Sequence, residues 1–293
     1  MLHLKTRGTV IKLDKSFPLV RCAGAKTPVR AEYSAALAKS KTGVTIGDEV
    51  VISENASDQS HEAPCIIEEI LPRKTQLSRL DALDRGVLQV MAANFDEVII
   101  CEAAYHFNLT RLARELVIAN NSQVKVRVFI TKCDLVESSE LQSIEKDLQL
   151  FDVEYKFVVR DHFSKIDGVF LPGQLYVLLG ASGVGKSTLI NHLCGSAVQK
   201  VGEVREKDLK GKHTTVAREV FTALNNAEVV DMPGVRAVGI QDADVGLQIT
   251  FPKIYERANY CKFRNCSHTS EPGCAVKNDV PEKLLSIWHD LQK

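Results

Sequence analysis

The sequence has 293 residues, 45% of them apolar, and is long enough for two or three domains with buried cores. It carries 37 basic and 37 acidic side chains, and this balance excludes a whole-molecule attraction to nucleic acid or membranes. No apolar run approaches the roughly 18–20 residues that span a bilayer, and the charged first residues do not resemble a signal peptide. We therefore expect a cytoplasmic monomer with no membrane partner.

Short β-type segments punctuated by Gly, Pro, Asp and Asn fill residues 1–72. The pattern predicts a short helical stretch at Ala35–Lys39 and strands at Gly8–Leu13, Leu19–Cys22, Pro28–Ala31, Asp48–Ile52 and Cys65–Ile70. Five or six short strands in about 70 residues favour a small β-barrel, for which an OB-fold is the commonest candidate.

Barrels of this kind often bind nucleic acid, although the fold alone does not decide function. Five cations of the barrel form either a face that contacts phosphates or a solvated face without a ligand: Arg7, Lys12, Arg21, Lys26 and Arg30. Both interpretations stay open, because Phe17 and Tyr33 are the only aromatic side chains available for base stacking.

The chain beyond the barrel predicts an α/β unit. The polar stretch from Arg73 through Arg85 is predicted to be helical. Two buried strands, Phe95–Cys101 and Lys125–Ile130, then flank a helix over Leu109–Ala119 with apolar residues on one face. A strand–helix–strand unit favours a parallel sheet covered by helices.

The second of these strands ends in Thr131-Lys132-Cys133-Asp134, which resembles the guanine-reading motif NKxD. Asp134 can accept two hydrogen bonds from the guanine edge, and the Lys132 stem can cover the base. Thr131 stands where the motif usually has Asn, so we expect the amide tie to the phosphate-binding loop to be lost. Lysine and aspartate near a strand end also occur by chance. A further base-contacting loop is expected after the strand Val153–Val159, near residues 160–162, but it lacks the usual Ser-Ala.

The motif around which the chain is organised is GASGVGKS at Gly180–Ser187, which matches GxxxxGK[ST]. It follows an apolar strand, Leu175–Leu179, and opens a helix. Its backbone N–H groups can surround a polyphosphate at the helix N-terminus. Lys186 adds a charge for the β- and γ-phosphates, and the Ser187 hydroxyl can ligate Mg²⁺. A Gly-rich turn that binds nothing is the alternative.

Two later segments supply the remaining parts of a Mg²⁺-dependent nucleotide hydrolase. The strand Val229–Gly234 ends in DxxG, so that Asp231 can hold Mg²⁺ through water and the Gly234 N–H can contact the γ-phosphate. The alternative is a plain Asp-x-Pro-Gly turn. The polar run KGKHTT offers a switch threonine, and we prefer Thr215 to Thr214 as the Mg²⁺ ligand.

The order of these motifs is unusual, because in ordinary GTPases the guanine motif follows DxxG. No [NT]KxD sequence lies after Gly234, and TKCD lies before the phosphate-binding loop. Either the base motif is missing or the nucleotide domain is circularly permuted, which surface-exposed domain termini tolerate. In a permuted domain the switch at Gly234–Gly239 leads directly into the C-terminal segment and can move it.

The residue that positions the attacking water is not obvious. Val235 occupies the place where many GTPases have Gln, and an alkyl group cannot hydrogen-bond water. His213 is the nearest catalytic candidate, an exposed loop histidine is the alternative interpretation, and a partner can also supply the group. We therefore expect slow intrinsic hydrolysis that a partner raises.

Near the C-terminus, Cys261, Cys266, His268 and Cys274 form the pattern C-x₄-C-x-H-x₅-C. Three thiolates and one imidazole complete the tetrahedral shell of a structural Zn²⁺ and leave no position for water. A disulfide would leave one cysteine over. The surrounding residues favour either RNA binding or a solvated surface: Lys253, Arg257, Lys262, Arg264, Lys277, Tyr255, Tyr260 and Phe263. A closing amphipathic helix is predicted over Glu282–Gln292.

Over essentially its whole length the chain resembles the ribosome small-subunit-dependent GTPase A family, the YjeQ-like circularly permuted GTPases. The resemblance is carried by IIEEILPRKTQLSRLDA, NFDEVII, TKCD, GASGVGKSTLIN, GKHTT, DMPGVRAVGI and CKFRNCSHTSEPGCAV. It implies binding to the 30S subunit and its 16S rRNA, stimulation of hydrolysis by that subunit and a role in late subunit maturation. It also implies the zinc ligands above, a guanine site at Lys132 and Asp134, with Thr131 beside them, and phosphate contacts from Gly180, Ala181, Ser182, Gly183, Val184, Gly185, Lys186, Ser187 and Thr188.

We therefore predict a multidomain chain. An OB-fold β-barrel at 1–72 precedes a circularly permuted α/β P-loop GTPase domain at 73–238 and an α-helical zinc-binding domain at 239–293. The predicted activity is hydrolysis of GTP to GDP with Mg²⁺, coupled to ribosomal RNA binding. An RNA- or DNA-binding regulator without ribosome-coupled hydrolysis is the main alternative. A P-loop kinase is the third, and DMPG and TKCD argue against it.

Overall fold

A computed structural model of the chain describes residues 5–14, 17–40, 43–55, 63–80, 88–199, 218–232 and 243–292. Within these ranges no helix is both long and apolar enough to cross a membrane. The described strands are β1 (Thr6–Leu13), β2 (Leu19–Cys22), β3 (Val29–Tyr33), β4 (Glu49–Glu54), β5 (Cys65–Ile70), β6 (Gln76–Leu80), β7 (Leu88–Ala93), β8 (Glu97–Ala103), β9 (Lys125–Thr131), β10 (Glu154–Phe157), β11 (Leu175–Leu179), β12 (Arg218–Thr222) and β13 (Glu228–Asp231). The described helices are α1 (Ala35–Ala38), α2 (Leu109–Asn120), α3 (Ser138–Leu148), α4 (Lys186–Cys194), α5 (Asp244–Thr250), α6 (Pro252–Ala258), α7 (Ala275–Asp279) and α8 (Glu282–Leu291).

The first five strands close into a barrel, which confirms the five-stranded N-terminal barrel predicted from the sequence. β1 pairs with both β2 and β4, β2 pairs with β3, and β4 pairs with β5, all antiparallel. β3 and β5 run parallel and complete the ring. Alternate side chains point inward and form a separate apolar core of Val10, Val20, Ala31, Val50, Ile52 and Ile67.

The central sheet has the strand order β10-β9-β8-β11-β13-β12. Its first five strands are parallel, and β12 is antiparallel to β13. The TKCD strand, β9, precedes the phosphate-loop strand, β11, in the chain but lies two positions away in the same sheet. Because parallel strands end at one edge, the loops that follow β8, β9, β11 and β13 meet there.

One strand pair joins the barrel to this sheet. β1 of the barrel pairs with β12, with Lys12 opposite Glu219, so eleven of the thirteen described strands form one continuous sheet, and β6 and β7 pair separately. Lys12 also forms an ion pair with Glu219 at 2.8 Å, and Arg21 forms a two-pronged pair with Glu228. Arg30 donates two hydrogen bonds to Asp14. Lys12, Arg21 and Arg30, three of the five barrel cations considered above, are therefore paired within the chain.

The predicted helix through Arg85 is wrong over Gln76–Leu80, which is strand β6 and pairs with β7 as a hairpin. Residues 81–85 lie outside the described part of the chain. Leu77 of this strand is fully buried in the same apolar cluster as Met91 of β7. Tertiary packing has therefore overridden the helical interpretation of a mostly polar segment.

The C-terminal helices pack directly on α2. α5 crosses α2 so closely that a Cβ at Gly246 would lie 2.0 Å from the Val117 carbonyl oxygen. Asn120 of α2 donates to the Thr250 hydroxyl at 2.9 Å. Buried residues of this segment, including Trp288, belong to the same apolar cluster as the buried face of α2.

Candidate nucleotide and metal sites

The phosphate loop, residues 180–187, connects the fully buried strand β11 to helix α4. Gly180 has a φ of 138°, and a Cβ there would lie 2.2 Å from the Cys101 carbonyl oxygen, so only glycine fits this close approach. Ser182 and Gly183 are exposed at the tip. The first backbone N–H groups of α4 have no partner within a helix and favour an anion.

Lys186 is 6% exposed and lies under the loop. Its Nζ donates to the carbonyl oxygens of Gly180 at 2.6 Å and Ala181 at 3.0 Å. It also lies 3.7 Å from Oδ1 of Asp231 at the end of β13. The ammonium group therefore links the phosphate loop to the neighbouring strand.

Asp231 and Ser187 are suitable ligands for Mg²⁺. The Asp231 Oδ1 atom is buried and accepts no hydrogen bond from any described residue. Ser187 stands in the first turn of α4, and Asp231 is opposite Leu178 in the strand that leads into the phosphate loop. A buried carboxylate oxygen that accepts no hydrogen bond, at the same edge of the sheet as a hydroxyl in the first turn of a helix, is typical of a site for a hard, oxygen-binding cation.

The loop that carries the predicted guanine contacts, residues 131–135, which we call the guanine loop, is joined to the phosphate loop by a side chain. Thr131 is buried, and its hydroxyl lies 2.5 Å from the Val184 carbonyl oxygen and 3.2 Å from that of Glu102. The amide of the usual Asn is absent, as the sequence indicates, but the threonine hydroxyl joins the two loops in its place. Asp134 is exposed at this edge of the sheet.

The turn that presents Asp134 is fixed by its neighbours. Lys132 has a left-handed backbone with φ 56°, which is uncommon for a residue other than glycine. The buried Cys133 thiol contacts the Ile130 carbonyl oxygen at 3.0 Å. Lys132 Nζ lies 3.3 Å from the Tyr105 hydroxyl and 5.0 Å from the centre of its ring.

Several predicted residues lie outside the described part of the chain: His213, Thr214, Thr215, Gly234 and Val235. The loop after β10 is described as the 3₁₀ segment Arg160–Val169, and His162 in it is exposed. The side chains of Arg160 and Asp161 are not described.

Sequence reasoning missed a charged cluster beneath the site. Glu102 is fully buried and accepts two hydrogen bonds from Arg111, one of them from Nε at 2.8 Å. Burial raises the pKa of Glu102 despite this partner. Glu115 of α2 is 2% exposed, and burial together with Glu102 raises its pKa to about 8. A glutamate inside an apolar strand and another on an apolar helix face were the available signals.

The four predicted zinc ligands are brought together, with ligand atoms within 4.8 Å of one another. Cys261 Sγ lies 3.9 Å from Cys274 Sγ and 3.7 Å from His268 Nδ1, and Cys274 Sγ lies 3.5 Å from the same nitrogen. Zinc bonded tetrahedrally at about 2.3 Å separates neighbouring sulfurs by about 3.8 Å. The spacing fits a tetrahedral ion and is far too long for a disulfide.

The loop that carries these ligands is held by local hydrogen bonds. Glu271 accepts from the Ser267 hydroxyl at 2.6 Å and from the backbone N–H groups of Ser267, Thr269 and Ser270 at 2.7–3.2 Å. The hydroxyl and then these backbone donors lower the pKa of Glu271 to about 2. Burial raises the pKa of Cys261, but hydrogen bonds with backbone and thiol neighbours leave it below the usual value. Burial and the neighbouring thiols Cys274 and Cys261 instead raise the pKa of Cys266 to about 11, because clustered sulfurs oppose a second negative charge.

Cations and aromatic rings alternate on the outside of the cluster. Tyr260 is 74% exposed and Phe263 is 40% exposed. The Arg257 guanidinium lies 6.0 Å from the Tyr260 ring centre, and Lys262 Nζ lies 5.6 Å from that of Phe263. Exposed rings beside cations provide both stacking and charge for a nucleic acid.

Fold and site together define a P-loop GTPase class in which the guanine-motif strand precedes the phosphate-loop strand. The chain is similar in structure to YjeQ from Thermotoga maritima (TM-score 0.66, 20% identity, 98% of this chain and 99% of that one). It is also similar to YloQ, a circularly permuted GTPase (TM-score 0.65, 20% identity, 99% and 94%). These likenesses concern the fold.

Sequence similarity identifies the family. A family model described as RsgA GTPase matches residues 70–241. A small ribosomal subunit biogenesis GTPase RsgA from Methanosarcina acetivorans is 35% identical over 274 residues, which cover 90% of this chain and 73% of that protein. The chain therefore belongs to the RsgA GTPase family.

Proposed function

We propose that the chain hydrolyses GTP on the small ribosomal subunit and acts in late maturation of that subunit. Its membership of the RsgA GTPase family, with relatives named small ribosomal subunit biogenesis GTPases, supports this function. The observation that carries the proposal is the Thr131–Val184 hydrogen bond, which joins the loop with the predicted guanine contacts to the loop with the predicted phosphate contacts.

We propose the following division of labour at the nucleotide. The phosphate loop and Thr188 bind the phosphates through backbone N–H groups and hydroxyls, and Lys186 moves its ammonium from loop carbonyls to the β- and γ-phosphates. Asp134 accepts hydrogen bonds from the guanine edge while Lys132 covers the base. Mg²⁺, when bound, neutralises charge on the phosphates, and Ser187, Asp231 and Thr215 hold it.

Hydrolysis needs a group that orients water, and the side chain of Val235 has no hydrogen-bonding atom. We propose that His213 or a group of the ribosomal subunit supplies it, and that the subunit raises a slow intrinsic rate. Gly234 would contribute its backbone N–H to the γ-phosphate. These residues belong to the part of the chain without described structure.

We propose that the cysteine–histidine cluster binds one structural Zn²⁺, since four protein ligands leave no position for a water nucleophile. The predicted domains, 1–72, 73–238 and 239–293, remain our proposed functional division, with the barrel as an OB-fold. Tyr260, Phe263 and the cations beside them are proposed to contact 16S rRNA. We further propose that the chain acts as a cytoplasmic monomer with GTP and GDP as its nucleotides.

GTP turnover with and without purified 30S subunits tests the function. We expect stimulation by the subunits, and unchanged turnover would favour a regulator without ribosome-coupled hydrolysis.

Competition between GTP and ATP tests base selection. Asp134→Asn should weaken GTP binding and improve xanthosine triphosphate binding, because an amide N–H can donate to the xanthine 2-oxygen. Asp152→Asn, at another exposed aspartate, is the matched control and should change neither.

A further inference from the structure

Tyr105 lies where the loops of the nucleotide site meet. It belongs to the 3₁₀ turn Ala104–His106 that follows β8, and the guanine loop follows the adjacent strand β9. Ala103 and Thr131 are paired in register at the ends of these strands, so the two turns leave the sheet side by side. Tyr105 is 40% exposed, so its ring reaches the surface at this edge of the sheet.

The ring is in contact with the lysine of the guanine motif. Lys132 Nζ lies 5.0 Å from the Tyr105 ring centre and 3.3 Å from the hydroxyl oxygen, which accepts from the ammonium group. Both interactions hold the ammonium group beside the ring. The other end of the side chain is fixed by the left-handed backbone of Lys132, with φ 56°. The methylene stem is therefore restrained at both ends.

A lysine stem that covers a base must lose rotamer freedom, and this loss opposes binding. Restraint before the nucleotide arrives removes part of the opposing entropy, which is the general benefit of preorganisation. The neighbouring turn is itself anchored by Thr131 and Cys133. The position of Tyr105 therefore suits a support for the wall of the base site.

We propose that Tyr105 is a positioning residue for guanine nucleotides, acting through Lys132. The ring and hydroxyl hold the ammonium group so that the apolar stem lies against the purine face while Asp134 reads the edge. This inference rests on the proposed function, because it takes Lys132 and Asp134 as the base contacts.

The test is equilibrium binding of GDP and inosine diphosphate to the full chain. Tyr105→Ala should raise Kd for both nucleotides by the same factor, about 5–10-fold. The lysine stem covers the face of the purine, whereas the 2-amino group that distinguishes the two nucleotides lies on its edge. Tyr105→Phe keeps the ring and should lose less than about 3-fold. The control is Tyr33→Ala on the barrel, a tyrosine that is also 40% exposed, and it should bind like the unsubstituted chain.

A second comparison separates positioning from direct stacking. If Tyr105 acts through Lys132, Tyr105→Ala should add nothing further in a Lys132→Ala background. Multiplied losses would overturn the proposal and assign the ring its own contact with the base. An equal loss of affinity in Tyr105→Ala and Tyr33→Ala, or a lowered melting temperature in Tyr105→Ala, would also overturn it.

The outcome is distinguishable from failure of the proposed function. Asp134→Asn should weaken binding of GDP more than that of inosine diphosphate, since the lost acceptor pairs with the 2-amino group. If the unsubstituted chain shows no preference for guanine over adenine nucleotides, the proposed function fails. If that preference and the Asp134 effect hold while Tyr105→Ala binds normally, only the role of Tyr105 is wrong.

Discussion

The barrel and the C-terminal helices flank the same sheet but are attached to it by different forces. The barrel has its own apolar core and meets the sheet mainly through the β1–β12 pair and half-exposed charged side chains, with Ile46 of the barrel segment also buried in the apolar cluster beside the sheet. The C-terminal helices instead place Phe251, Ile254 and Trp288 in one apolar cluster with Leu112 and Leu116 of α2. We call this cluster the shared core.

The difference has consequences for stability and for signalling. A part with a separate core can loosen while exposing little of the apolar interior of its neighbour, and its polar joint can exchange protein partners for water. A part that shares a core unfolds together with its neighbour. We therefore expect the barrel to open independently and the C-terminal helices to respond directly to changes in the central sheet.

Loss of the proposed zinc should have the largest effect. Cys266→Ser, or a strong chelator, should remove the ion and lower the melting temperature by about 10 °C or more, because structural zinc contributes directly to folding. The His268 ring lies 5.7 Å from that of Trp288, so the damage reaches the shared core.

Metal content by atomic absorption and thermal unfolding together measure this effect. Cys194→Ser is the matched control, because Cys194 is also half-buried but lies in α4 away from the cluster. It should keep the zinc. An unchanged melting temperature in metal-free protein would mean that the cluster does not support the shared core.

Matched truncations should separate the two cores. Ile254→Ala and Ile67→Ala each remove the same atoms from a buried position and should cost about 2–5 kcal/mol. Ile254→Ala should lower the midpoint of urea unfolding measured by the fluorescence of Trp288, the one tryptophan of the chain. Ile67→Ala should leave that midpoint in place and speed labelling of the barrel thiols Cys22 and Cys65. Equal shifts of the tryptophan signal would show that the cores unfold as one.

The two regions also differ in how they bury carboxylates. Asp48 at the barrel is fully buried but accepts two hydrogen bonds from Arg73 at 2.7 and 2.9 Å. Glu115 of α2, the helix on which the C-terminal helices pack, has a buried Oε2 without a hydrogen-bond partner among the described residues. We therefore expect pH to affect the shared core more than the barrel.

The sign of the Glu115 effect follows from its pKa of about 8, raised by burial and then by Glu102. An unfolded chain releases this proton near pH 4.3, so between about pH 4.3 and 8 the folded state binds more protons and stability falls as pH rises. Glu115→Gln does not titrate and should gain a few degrees of melting temperature relative to the unsubstituted chain between pH 5.5 and 8.5. Glu140→Gln, on the exposed side of α3, should show no such gain. A constant difference across this range would contradict the shifted pKa.

The sequence could predict features that local patterns encode. The apolar strand before the phosphate loop matches β11 residue for residue, and Leu19–Cys22 and Cys65–Ile70 were also predicted with the observed bounds. The cysteine and histidine spacing predicted a cluster that the fold does assemble. Such signals depend on a few neighbouring residues.

Other features depend on partners distant in the chain. Nothing local to Arg218–Thr222 indicates that it would pair with the first strand of the barrel. Likewise, the role of Thr131 depends on the carbonyl group of Val184, 53 residues away. Leu77 lies in a strand rather than a helix because it packs in the same cluster as Met91. Contacts of this kind need the fold before they can be recognised.

The smallest expected effect is at the charged joint between Arg21 and Glu228. These side chains are 42% and 19% exposed, so water and salt screen the pair, and a double-mutant cycle with Arg21→Met and Glu228→Gln should give about 1 kcal/mol or less. The coupling should shrink at high salt. Lys125 and Glu154, an exposed ion pair within the central sheet, provide the control double-mutant cycle.

The joint matters more for coupling than for stability. Glu228 begins β13, and Asp231 ends it beside Lys186, so the barrel holds one end of the strand whose other end faces the proposed metal. Weakening the pair should therefore change subunit-stimulated GTP turnover more than intrinsic turnover, while the melting temperature hardly moves. A coupling energy above about 3 kcal/mol that is insensitive to salt would place this joint with buried ion pairs. The barrel would then be fixed as firmly as the C-terminal helices, and the contrast between the two flanking parts would be lost.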